Sequence, residues 1–188
     1  MAWEEFEQTF GAAVQWKNLQ NARFEACTFN GVNWSNADLR GARFEECLFV
    51  ACDWSNARVL GTGLQSVVFR ECKLVGVDFE TMNPLGFAVE FDRCNVDAAN
   101  FSGKNLQSTA WKQCSAMGAD FTSANAEGVV FDRVDLADAV FHQTKLRGAD
   151  FRTAENWRIS PVTNALKGAK FQRAAIDGLL GEWGVELE

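Results

Sequence analysis

The chain has 188 residues, 47% of them hydrophobic, which is enough for one domain with a sizeable core. Its net charge of −7 excludes nucleic-acid binding by phosphate neutralisation, and no apolar run approaches the roughly eighteen residues of a membrane span. Aromatic content is skewed to sixteen Phe and seven Trp, with no Tyr.

Residues 1–18 open on Met1-Ala2-Trp3-Glu4-Glu5-Phe6, without the basic start and apolar stretch of a signal peptide, so a cytoplasmic protein is expected. Trp3, Phe6, Phe10, Val14 and Trp16 read as an N-terminal cap. From Phe24 every fifth residue is apolar: Phe24, Phe29, Trp34, Leu39, Phe44, Phe49, Trp54, Val59, Leu64, Phe69, Leu74, Phe79. The residue two before each is small, as in Ala22, Cys27, Val32 and Ala37. Helices repeat an apolar face at 3.6 residues and strands at 2, so a period of five marks a short-unit repeat. Gly or Asn often follows the central residue, as at Gly31, Asn36, Gly41, Asn56 and Gly61, where a tight corner is expected.

The period breaks at residues 80–90 and resumes in a register shifted by two, Phe91, Val96, Phe101, Leu106, Trp111, Ala116, Phe121, through to Phe151. The break contains Met82, Asn83, Pro84, Leu85, Gly86 and Phe87. Its three large apolar residues either pack on the wall or make a contact element. After Thr153 the pattern fails. Gln172 to Leu180 reads as a short helix with Ala175, Ile176, Leu179 and Leu180 on one side, and Val185-Glu186-Leu187 as a final strand.

Ala37-Asp38-Leu39-Arg40-Gly41, Ala42-Arg43-Phe44-Glu45-Glu46 and Ala149-Asp150-Phe151-Arg152-Thr153 resemble the unit of the pentapeptide repeat family. The resemblance implies an all-β solenoid, a right-handed quadrilateral β-helix with four units to a coil of twenty residues. The expected organisation is a cap over 1–18, a β-helix over 19–153 interrupted by the loop 80–90, and a C-terminal cap and helical dimerisation segment over 154–188. The tail resembles that of the albicidin-resistance and microcin-immunity type, which implies a homodimer through Phe171, Ile176, Leu179, Leu180, Trp183 and Val185. A monomeric cap is the alternative.

On this frame all six cysteines, Cys27, Cys47, Cys52, Cys72, Cys94 and Cys114, occupy the small inward slot. Pairs twenty apart should stack. No His accompanies them and C-x-x-C is absent, so they read as small hydrophobes rather than a metal site or redox switch. Lys104 falls in the same kind of slot. Burying its ammonium unpaired is costly, so a local outward distortion is expected. His142 should point outward. Trp111 and Phe121 should face each other across a coil, with Ala116 and Ala126 leaving them room.

Nothing in the sequence supports an enzyme or a cofactor: there is no Ser/His/Asp set, metal-ligand cluster or phosphate loop. The resemblance extends to proteins that protect DNA gyrase and topoisomerase IV from poisons such as quinolones, microcin, albicidin and cystobactamid-like compounds. It implies an acidic, DNA-shaped dimer on the enzyme's DNA-binding saddle. The outward acids Glu25, Asp38, Glu45, Glu46, Asp53 and Asp78 fit that role, but Arg23, Arg43 and Arg58 lie among them and weaken simple duplex mimicry. A scaffold or regulator with another protein partner is the competing expectation.

Overall fold

The computed structural model describes residues 3–181. The chain winds as a right-handed parallel β-helix whose coils pair in register. A step of twenty residues sets Phe44 on Phe24 and Leu64 on Phe44, and likewise Phe49 on Phe29 and Phe69 on Phe49. The four sides follow the order 22–26, 27–31, 32–36 and 37–41. On the first side β1 (Glu4–Phe6), β3 (Arg23–Glu25), β5 (Arg43–Glu45) and β7 (Gly63–Gln65) form a four-stranded sheet. On the second side β2 (Thr9–Phe10), β4 (Thr28–Asn30), β6 (Leu48–Val50), β8 (Val67–Arg70), β9 (Val89–Asp92), β10 (Thr109–Lys112) and β11 (Phe131–Asp132) form a seven-stranded one. The third and fourth sides pair by single bridges, Asp53 to Lys73 and Asp38 to Arg58 among them.

Each strand centre points inward, and register places ring on ring. Phe49 stacks on Phe29 at 4.7 Å and Phe69 on Phe49 at 4.9 Å. Phe121 lies between Phe101 at 5.3 Å and Phe141 at 4.9 Å. Trp111 and Phe121 meet across their coil at 6.0 Å, with Ala116 and Ala126 fully buried beside them. Corners use left-handed backbone. Gly31 and Gly41 supply it without a Cβ penalty. Ala26, Glu46 and Ala51 adopt it at φ of 51–53° and are held there by amide bonds of 2.9 Å to the next coil, to Glu45, Gln65 and Arg70 respectively.

The helix begins before residue 19. Strand β1 pairs with β3 and β2 with β4, at a step of nineteen: Glu5 opposes Phe24 and Phe10 opposes Phe29. Trp3, Phe10, Val14 and Trp16 pack on the core and close the end, whereas Phe6 is 53% exposed because its register partner is the outward Glu25.

The two-residue slip is resolved on one side of one coil. Residues 82–88 make a first side of seven residues, after which Phe91 pairs on Phe69 at a step of twenty-two. The first-side sheet stops at β7, while the second-side sheet runs through. Met82 and Phe87 turn into the core, at 2% and 6% exposure, and Leu85 projects at 83%. The two alternatives for the three apolar residues of the break divide between them: Met82 and Phe87 pack inward and fill the volume that the widened side opens, and Leu85 alone is left for a contact.

The slip also aligns the thiols. Lys73 bridges Asn95, and Asn95 bridges Ser115, so Cys52, Cys72, Cys94 and Cys114 make one column of four, rather than separate pairs. All six cysteines are free and buried. Burial pushes the Cys47 thiol up to about 12. His142 is exposed.

At the C-terminal end Phe171 stacks on Phe151 at 5.3 Å. The expected α-helix is instead a 3₁₀ segment, Arg173–Leu179, broken by non-helical backbone at Ala175. The geometry follows from Gly178, whose carbonyl accepts a bond from the Ile159 amide at 2.9 Å. A Cβ on Gly178 would lie 2.6 Å from the Trp157 ring, so the segment lies flat on the tube only with glycine there. The expected strand at Val185-Glu186-Leu187 falls outside the described residues.

Phe121→Ala should cost about 3–5 kcal/mol, the range for truncating a buried aromatic, read as a shift of the denaturant midpoint; an unchanged midpoint would contradict this stacking register. Thiol titration should find six reactive groups in unfolded protein and very slow reaction in the native state.

Candidate functional site

A tube whose inside is filled can act only through its outside. On each side the residues flanking a strand centre point outward, and in the A-D-L-R type of unit these are an Asp and an Arg on one face. Arg40 therefore reaches back to Asp38, with Nε and Nη2 donating at 2.9 and 2.8 Å. Gln20 adds a bond at 2.6 Å and Arg58, one coil on, an ion pair at 3.2 Å. Asp38 is buried at 3% exposure, so the expectation of an outward acid is corrected there. The Arg40 guanidinium, opposed by burial and helped by Gln20, holds its carboxyl well below the usual carboxylate range. Asp150 is tied to Arg152 in the same way and is depressed for the same reason.

The remaining sequence-predicted acids do not form one patch. Glu25 and Glu45 lie in register on the first side beside Arg23 and Arg43, with Glu46 at the following corner. Asp53 is on the third side and Asp78 on the fourth. Stepping along the third side from Asp53 leads to Asp97, Asp135, Asp138 and Glu155; along the fourth, from Asp78, to Glu80 and Asp120. None of these enters an ion pair among the described residues, whereas the second side is laced by Arg70–Asp92 and Arg133–Asp132 pairs. The sequence signal for this surface was the step of twenty carried through the break as twenty-two. Five of its acids, Asp97, Asp120, Asp135, Asp138 and Glu155, were missed without it.

The bulged side 82–88 adjoins this surface, because the fourth side ends where the bulge starts. A 3₁₀ turn, Phe79–Thr81, leads into it. Asn83 Oδ1 accepts the Leu85 amide at 2.9 Å, which holds the tip. Below, the Asn83 and Ala88 amides donate to Thr62 and Leu64 carbonyls of the previous coil at 2.9 and 3.2 Å. Lys104 does not distort outward. It is buried at 4% exposure, donates to the Met82 carbonyl at 2.8 Å and lies 4.7 Å from the centre of the Phe87 ring. Burial lowers its pKa to about 8 against the pull of Asp78 and Glu80.

Of the proposed dimer residues, Phe171, Leu179 and Leu180 are half-buried and Ile176 is 47% exposed. Trp183 and Val185 lie outside the described residues.

Two family models match the chain: the pentapeptide repeat region over residues 22–101, and the pentapeptide repeats (8 copies) over 117–152. The chain belongs to the pentapeptide repeat family. No curated protein matches this pentapeptide repeat chain in sequence. Among solved structures it is similar to a trypsin-treated form of QnrB1, a plasmid-mediated fluoroquinolone resistance protein, at 19% identity and a TM-score of 0.64, covering 100% of this chain and 98% of that one. It is also similar to HetL from the cyanobacterium Nostoc sp. strain PCC 7120, a pentapeptide repeat protein involved in heterocyst differentiation regulation, at 17% identity and a TM-score of 0.51, covering 89% and 82%. These likenesses are of fold. No helix among the described residues is long and apolar enough to cross a membrane.

The depressed Asp38 carboxyl has a pH consequence. Its folded-state pKa lies below the unfolded value, so its stabilisation is complete above about pH 4 and is lost as pH falls further. Asp38→Asn should therefore lower the denaturant midpoint at pH 7 and flatten the parent's loss of stability between about pH 4 and 2. A variant whose acid limb parallels the parent's would contradict the Arg40–Asp38 assignment.

Proposed function

We propose that this pentapeptide repeat protein binds DNA gyrase, and the related topoisomerase IV, and protects the enzyme from a poison. The observation that carries the reading is the run of unpaired acids along the third and fourth sides. From Asp53 to Glu155 the third side takes five steps, about 24 Å at ~4.8 Å per coil. Over that length the acids outnumber the bases Lys73 and Arg58 so that the two sides carry roughly one net negative charge per 4 Å, a little below a single phosphate strand and under half the density of a duplex. A basic, DNA-binding groove attracts such a surface. QnrB1's role in fluoroquinolone resistance supports the same direction.

On this reading the contact is made by the acidic sides together with Asn83, Pro84, Leu85 and Gly86 of the bulge. Met82 and Phe87 support the tip from within the core. Dimerisation through Phe171, Ile176, Leu179 and Leu180 would cover the tube's half-buried C-terminal end. No catalytic residue or cofactor is required. A second reading, a scaffold or regulator for a different protein, is favoured by the self-paired acids Asp38 and Asp150 and by the likeness to HetL.

Gyrase supercoiling with a panel of poisons, with and without the protein, separates the two readings: rescue by the parent supports the first, and its absence for every poison leaves the second. Leu85→Ser, which spares the core, should raise the protective dose about tenfold, or about 1.4 kcal/mol of binding. Sedimentation should give a dimer, with Leu179→Asp plus Leu180→Asp giving a folded monomer; a monomeric parent would remove the dimer from the reading.

A further inference from the structure

The seven-residue side creates a defect that the rest of the ladder does not have. On the first side, each coil donates the amide preceding its strand centre to the carbonyl two residues before the centre below. Arg43 donates to Ala22, Gly63 to Ala42, Asn83 to Thr62, Asn125 to Lys104 and Lys145 to Ala124, at 2.8–2.9 Å. The missing member is Asn105 to Met82. Among the described residues no backbone amide takes the Met82 carbonyl. The Lys104 ammonium takes it, at 2.8 Å. Lys104 stands in the inward slot that holds Ala42, Thr62, Ala124 and Thr144 in other coils, all of them short side chains. Its stem runs down into the space that the bulge leaves and ends over the Phe87 ring. A buried carbonyl left without a donor is costly, and so is a buried ammonium without a counter-ion. Each relieves the other here.

We propose that Lys104 is the positioning residue of the bulge: its side chain replaces the missing rung to Met82, fixes 82–88 in one shape, and so sets where Leu85 is offered to a partner. The last step rests on the reading of the bulge as part of the partner contact. A tip fixed in advance loses little conformational freedom on binding, which is what a single exposed leucine needs to act as a specific contact.

Burial of the amine gives the closed bulge a pH dependence that an apolar side chain in the slot lacks. The groups facing Lys104 are the Met82 carbonyl and the Phe87 ring, with the Asp78 and Glu80 carboxylates acting through space. In the closed bulge the ammonium has a pKa of about 8, against an ordinary 10.5. Opening exposes the amine to water and takes up a proton, so closure is favoured as pH rises from about 8 to about 10 and is weaker below.

The test is amide hydrogen exchange over residues 83–88 in the full chain. In Lys104→Met, with the parent's far-UV spectrum kept, the Leu85 and Ala88 amides should exchange roughly tenfold faster, and Lys104→Arg should restore most of the protection. In the parent, protection corrected for base catalysis should rise between about pH 8 and 10 and stay flat in Lys104→Met. Equal exchange in parent and Lys104→Met overturns the proposal, as does a parent profile without that rise. If Lys104→Met does not fold, Lys104→Ala, which makes the slot as small as at Ala42 and Ala124, takes its place in the exchange comparison. In the gyrase assay Lys104→Met should raise the protective dose as Leu85→Ser does; a loss with Leu85→Ser and none with Lys104→Met overturns the positioning role. Should the parent give no protection, the gyrase reading falls and the exchange data judge Lys104 by themselves.

Discussion

The structure depends on in-register stacking of parallel coils. A single coil buries almost nothing on its own, and it becomes stable only when identical positions lie over one another and close the backbone ladder on both edges. That condition makes each inward column a continuous stack, such as Phe29, Phe49, Phe69 and Phe91, with successive rings 4.7–5.9 Å apart. It also sustains the left-handed corners at residues that carry a Cβ, since the corner amides are themselves rungs. One residue added to a side would turn its inward set outward. Two can be accommodated if the side bows out and gives up its sheet, which is what happens at 82–88.

That concession explains several features that look unrelated. The first-side sheet ends at β7 while its neighbour continues to β11. Met82 and Phe87 leave the surface because a wider side encloses more volume. The inward slot of the next coil, which holds Ala42, Thr62, Ala124 and Thr144 in regular coils, carries a lysine because a carbonyl beneath it has lost its amide donor. The shift by two also carries Cys94 over Cys72, so the thiol column runs unbroken through the irregular coil.

The period of five, the inward slots and the glycine corners were legible because each depends on the residue's own position within its unit. What was not legible depends on residues a coil away. Asp38 looks like any outward acid until Arg58 and Gln20 are brought around it. The first coil was hidden because Glu5 occupies a central position where every later coil has an apolar residue, and because that coil is one residue short. The acidic third and fourth sides emerge only when the register is carried through the break. The tail was misread as an amphipathic helix because Ile176, Leu179 and Leu180 have helical spacing, whereas Gly178 packs against Trp157 and tightens the segment.

For the partner proposed above, charge and bulge answer different questions. Rungs on the tube repeat at about 4.8 Å, so its acids stand at multiples of that step, and phosphates along one strand repeat at about 3.4 Å, so the two patterns fall out of step within a few coils. Matching them contact by contact along the groove is impossible for a stiff ladder. A field averaged over about 8 Å, the screening length at physiological salt, does not register that mismatch. The acidic sides are therefore suited to drawing the rod into a basic groove and orienting it, with many axial positions nearly equivalent. Something that does not repeat must choose among them. Leu85, on a bulge that occurs once in the described chain and stands 83% exposed beside the acidic fourth side, is such a mark.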